Sequence, residues 1–151
     1  MARHAQSVHE ASAHWEGTLT EGSGQVVSSS SGALKNLPVS WTSRTGGDAS
    51  QTTPEELLAA AHASCFAMAL SYELQGKQTP AESLDVTAAV GFDPKVGGGF
   101  EVSFSELTVT GKVPGISAED FAAAVQAASQ GCPLSQALKG NVEIVATGEL
   151  V

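Results

Sequence analysis

Positive charge is what this 151-residue chain has least of: seven lysines and arginines stand against sixteen acidic residues, a formal net charge of −9. The seven are scattered singly, so there is no cationic patch to follow a phosphate backbone, and nucleic acid is not an expected partner. Arginine is scarcer still, with only Arg3 and Arg44. Arg3 lies in a lead expected to be mobile over residues 1 to about 12, so a buried anion that needs a guanidinium has Arg44 as its candidate. Two cysteines, Cys65 and Cys132, are too few for a disulfide scaffold; they leave inert core thiols, metal ligands or redox chemistry. No apolar run approaches the roughly 20 residues of a membrane span. The N-terminal MARHAQSVHEASAH has no apolar middle of the signal-peptide kind, and the expected location is the cytoplasm.

What is present is 42% hydrophobic content in periodic segments, which predicts one folded domain over residues 13–151. Its clearest element runs from Thr53 to Tyr72. Thr53 is a good N-cap, Pro54 suits the first helical position, and Glu56 falls three residues after Thr53, completing a capping box. From Leu57 to Leu70 the only polar side chains are His62, Ser64 and Cys65. A helix with so little polar surface is expected to be buried nearly all round.

Before it, Ala13–Leu19 and Gln25–Ser30 read as strands joined by a turn at Glu21–Gly24, and Leu37–Trp41 as a third extended piece with proline at an edge. Arg44 then falls in a loop by composition, Thr42–Asp48. After the helix, Leu84, Val86, Ala88, Val90 and Phe92 alternate with smaller or polar residues at strand spacing. The following Gly97-Gly98-Gly99 lacks the Gly-Lys-Ser/Thr of a phosphate loop and reads as a hairpin turn. In the returning strand the apolar parity changes near Ser105-Glu106, which predicts a β-bulge. Ser117 caps a second helix with a Phe121, Ala124, Val125, Ala128 stripe. Gly131 ends it, Pro133 opens a short helix through Leu138, and a last strand carries Val142, Ile144 and Ala146. This order gives an α+β domain rather than a doubly wound α/β fold.

The two thiols differ in their local setting. Cys132, just before Pro133, stands at a helix N-terminus whose free N–H groups favour a thiolate. Cys65 sits in mid-helix, where burial raises a thiol pKa, so it needs an outside cation, and Arg44 can supply one. Glu55, unlike Glu56, has no capping duty and is the natural group to orient that arginine. It is expected to face outward. His62 lies one turn before Cys65 and invites a base or a His-x-x-Cys metal pair completed by Cys132. A hydrogen-bonded core histidine is the better reading, because a zinc site would lack a supporting fourth ligand.

At this point TPEELLAAAHASCFAMALS, AHWEG at 13–17, Thr-Ser-Arg at 42–44, VPGIS at 113–117 and GCPLSQAL at 131–138 together resemble the osmotically inducible protein C branch of the OsmC/Ohr family. The resemblance runs through the whole chain in order. It implies antiparallel sheets wrapped around a long central helix, an intertwined homodimer, and a thiol-dependent peroxidase. That peroxidase would reduce organic, and less efficiently inorganic, hydroperoxides to alcohols in oxidative and osmotic stress defence. By the same resemblance Cys65 is the peroxidatic cysteine, Cys132 the resolving cysteine with which it forms a disulfide, and Arg44 and Glu55 the pair that activates the thiolate. No bound cofactor or metal is implied, only an external thiol or dithiol reductant such as dihydrolipoamide.

One constraint comes from helix geometry alone. Glu55 and Cys65 are ten positions apart, about 15 Å along a helix axis. They cannot touch within one subunit, so a Glu55 that helps Cys65 comes from a partner helix crossing near the small residues Ala59, Ala60 and Ala61. Phe66 and Met68 suggest an apolar pocket beside the thiol. The rival reading is a non-enzymatic dimer that binds an apolar ligand and keeps both cysteines inert.

Overall fold

A computed structural model describes residues 3–151, and the first two residues of the expected mobile lead lie outside the described ones. The chain divides into two compact units, residues up to Pro54 and residues from Glu55 onward.

The first unit is a three-stranded antiparallel sheet in the order β1 (Ala11–Glu16), β2 (Ser23–Ser29), β3 (Lys35–Val39). The first two strands begin two residues earlier than the sequence predicts, because the turn starts at Gly17. Gly17 takes a φ of +87°, and the Gly22 N–H closes on the Thr18 carbonyl at 2.8 Å. Trp41 is not the end of β3. It opens a single helical turn, α1 (Trp41–Arg44), where composition suggested a loop. The cause is a cap the usual pattern does not include: the Ser43 N–H donates to Ser40 Oγ at 3.1 Å while the Ser40 N–H donates to Ser43 Oγ at 3.2 Å. Serine at the third position here does the work that glutamate or glutamine does in the common box.

The second unit holds the long helix α2 (Pro54–Gly76), a hairpin of β4 (Ser83–Pro94) and β5 (Phe100–Lys112), helices α3 (Ala118–Gly131) and α4 (Pro133–Leu138), and β6 (Glu143–Leu150). β6 pairs with β5 in parallel, so the sheet β4-β5-β6 is mixed rather than antiparallel as expected. A parallel return needs a long crossover, and residues 113–142 provide one that carries both α3 and α4.

The core gathers Phe66, Leu70 and Leu74 of α2, Leu107 and Val109 of β5, Phe121, Ala124, Val125 and Ala128 of α3, Ala146 of β6, and Cys132. The α3 stripe is the one the sequence predicts. The expected bulge exists and lies just ahead of its predicted position: Val90 pairs with Ser105 and Phe92 with Val102, so Ser103 and Phe104 oppose Gly91 alone. A Cβ on Gly91 would stand 2.4 Å from the Phe104 ring, so only glycine fits opposite the bulge. The bulge changes the phase of β5, and beyond it Ser105, Leu107 and Val109 all point inward.

The expectation that α2 is buried all round does not hold within the chain. Its buried positions, His62, Phe66, Leu70 and Leu74, follow one another at helical spacing. Ala60, Ala61 and Ser64 are exposed on the other side, as are Met68 at 69% and Tyr72 at 76%. At 23 residues α2 is also long and apolar enough, by length and composition alone, to cross a membrane, which the count of apolar residues did not anticipate. Its Phe66, Leu70 and Leu74 belong instead to a protein core.

Candidate active site

Cys132 ends one helix and begins the next. Its N–H closes α3 on the Ala128 carbonyl at 2.9 Å, and its carbonyl accepts from the Gln136 N–H at 3.0 Å, so it serves as C-cap of α3 and N-cap of α4. Pro133 at the first position of α4 makes this abrupt handover possible, since proline lacks the N–H that would continue α3. Cys132 itself is wholly buried, although Gly131 and Pro133 on either side of it are exposed, and the corner turns its side chain onto the middle of α2. There the Cys65 and Cys132 sulfurs are hydrogen-bonded at 3.0 Å, both as free thiols. A disulfide bond is about 2.05 Å long, so roughly 1 Å of approach separates this pair from a covalent bridge.

The electrostatics of Cys65 differ from the simple helix-end picture. Burial pushes its thiol up from the ordinary value, the hydrogen bond with Cys132 and the neighbouring sulfur's charge add to that, and the Leu134 N–H pulls the other way. The amide at the start of α4 thus serves the sulfur of Cys65, whereas the sequence assigned that helix end to Cys132. Cys65 retains partial access to solvent and Cys132 none. The more accessible thiol can meet a reagent first, with the enclosed one directly behind it.

His62 is a fully buried core histidine, as its position on α2 suggested. Its Nδ1 is 2.6 Å from Ser105 Oγ on β5 and its Nε2 is 2.8 Å from Ser135 Oγ on α4. Desolvation lowers its pKa, so the imidazole is neutral and joins the two hydroxyls as one donor and one acceptor. Both ring nitrogens are engaged, which leaves none directed at a metal. Sequence reasoning found the histidine but neither serine. The signals were the parity change at Ser105 and the spacing of Ser135, three residues after Cys132.

Arg44 closes α1 and, with Trp15, Leu19, Val39, Trp41 and Pro54, lines a mostly apolar cleft of about 300 Å³ in the first unit. Glu55 is in the first turn of α2, on one continuous helix with Cys65, so the separation derived from spacing stands. It is 7% exposed within the chain, not outward-facing as expected. The expected pocket of Phe66 and Met68 is also corrected, since Phe66 is sealed in the core and Met68 lies on the open face of the helix.

The fold and these sulfurs define a class first: an α+β protein carrying two facing free thiols at the junction of a long helix and a helix–helix corner. The sequence model described as OsmC-like protein matches residues 46–147. Peroxiredoxin OsmC of Escherichia coli strain K12 is 43% identical over 132 residues, covering 87% of this chain and 90% of that one. An organic hydroperoxide resistance protein of Xanthomonas axonopodis pv. citri is 37% identical over 105 residues, 68% of each chain. Among solved structures, the organic hydroperoxide resistance protein OhrB of Bacillus subtilis superposes with a TM-score of 0.71 at 25% identity, covering 93% of this chain and 98% of that one. The chain belongs to the OsmC-like family.

Proposed function

We propose that the protein is a cysteine-based, thiol-dependent peroxidase that reduces hydroperoxides, organic ones in preference to inorganic, in the cytoplasm. The observation that carries this reading is the 3.0 Å approach of two free thiols, one partly open and one enclosed. The names of the related proteins, peroxiredoxin and organic hydroperoxide resistance protein, supply the substrate class.

In this mechanism the Cys65 thiolate attacks one oxygen of the hydroperoxide. The O–O bond breaks, the other oxygen leaves as an alcohol after taking a proton, and Cys65 becomes a sulfenic acid. The Cys132 sulfur then attacks the Cys65 sulfur and displaces hydroxide, which leaves as water with the thiol proton, giving a disulfide. An external dithiol such as dihydrolipoamide returns both sulfurs to thiols by exchange. Arg44 supplies the cation that favours the Cys65 thiolate against burial, and Glu55 orients that arginine. Because Glu55 cannot reach Cys65 along its own helix, the site is completed by a second copy, in a homodimer. The uncovered Ala60, Ala61, Ser64, Met68, Tyr72 face of α2 supports such a contact.

Hydroperoxide consumption with dihydrolipoamide tests the assignment. Cys65→Ser is expected to lose turnover entirely, and Cys132→Ser to perform the first reaction but not to cycle on the dithiol. Full activity in Cys65→Ser would overturn the function.

A further inference from the structure

The peroxidase mechanism uses neither His62 nor the two serines it joins, yet these form a buried polar connection that ends beside the thiol pair. α4 has six residues, too few to hold itself as an isolated helix. Its place against α2 depends on tertiary anchors. One is apolar, Leu134 packed against the core cluster. The directional one is Ser135 Oγ on His62 Nε2, at 2.8 Å. The same first turn of α4 carries Cys132 as its N-cap and the Leu134 N–H that faces the Cys65 sulfur. On α2, His62 is one turn from Cys65. The His62–Ser135 bond therefore closes a small ring, His62 to Cys65 along α2, Cys65 to Cys132 through the sulfurs, and Cys132 to Ser135 along α4.

We infer that His62 is a positioning residue for the second half of the reaction: through Ser135 it holds the Cys132 corner within attacking distance of an oxidised Cys65. This rests on the peroxidase reading. Its consequence is a competition between two fates of the sulfenic acid. Attack by Cys132 gives the disulfide and water. Attack on a second hydroperoxide molecule transfers another oxygen to Cys65, gives a sulfinic acid and releases a second alcohol. Holding the enclosed thiol close raises its effective concentration and favours the first outcome. Ser105 bonds the other ring nitrogen from β5 rather than from α4.

The test compares Ser135→Ala, Ser105→Ala, His62→Leu and His62→Gln with the wild type in single-turnover reactions with cumene hydroperoxide, following sulfenic acid, disulfide and sulfinic acid by mass spectrometry. In Ser135→Ala, consumption of the first equivalent should stay within about twofold of wild type. Disulfide formation should slow about tenfold, the value of one buried hydrogen bond, and the sulfinic fraction should rise with excess peroxide. Ser105→Ala should partition as the wild type does, and His62→Gln should recover part of what His62→Leu loses. Wild-type partition in Ser135→Ala would overturn the inference. Equal slowing in both serine variants would also overturn it, by assigning the connection to general stability. A wild-type protein that forms no disulfide with hydroperoxide would overturn the peroxidase reading and this inference together.

Discussion

Burial sets a problem for Cys65 that its neighbours only partly answer. It pushes the thiol up, and among the described residues the group that pulls it down is the Leu134 N–H. A nucleophile at neutral pH needs the thiolate, and each pKa unit of stabilisation is worth about 1.4 kcal/mol. If Arg44 supplies that stabilisation, Arg44→Ala should lower the rate constant for hydroperoxide at neutral pH by on the order of a hundredfold. The lost rate should return as pH rises, because the unassisted thiol ionises only there. A pH profile of stopped-flow oxidation reads this directly. A profile of unchanged shape would remove Arg44 from the activation of Cys65.

In the proposed homodimer the element that decides the arrangement is α2. A helix apolar on every side cannot leave a whole face in water cheaply, and Met68 and Tyr72 are more than two-thirds exposed in the single chain. A second copy crossing at Ala60 and Ala61 would cover this face with small residues at the closest approach. Met68→Asp should therefore convert a dimer into a monomer in analytical ultracentrifugation and abolish peroxidase activity with it. A wild-type monomer with full activity would contradict the composite site. α4 illustrates the opposite dependence: it is too short to be independent, and it is placed by the proline that starts it, by Leu134 and by Ser135.

Much of the whole molecule was legible from residues. Pro54 at the helix start, the β4 and β5 alternation, the α3 stripe and the Pro133 corner all carry local signals strong enough to survive folding. The parallel pairing of β6 was not legible, because its alternation is the same for either direction and only the crossover through α3 and α4 fixes it. The one-turn helix at Arg44 was missed because its cap depends on a reciprocal bond between two serines that no common pattern contains. The one-sided burial of α2 was missed because composition gives the apolar faces but not which of them another copy would cover. The two cysteines could be picked out singly. Their meeting across the α3–α4 corner is a tertiary fact, and Ser135 reaches His62 only through it.

The most direct measurement of the central claim is intact mass and thiol titration of the wild-type protein after one equivalent of organic hydroperoxide. The account predicts the loss of both free thiols, the mass of one intramolecular disulfide between Cys65 and Cys132, and full reversal by dihydrolipoamide. Both thiols remaining free, with the peroxide unconsumed, would contradict it.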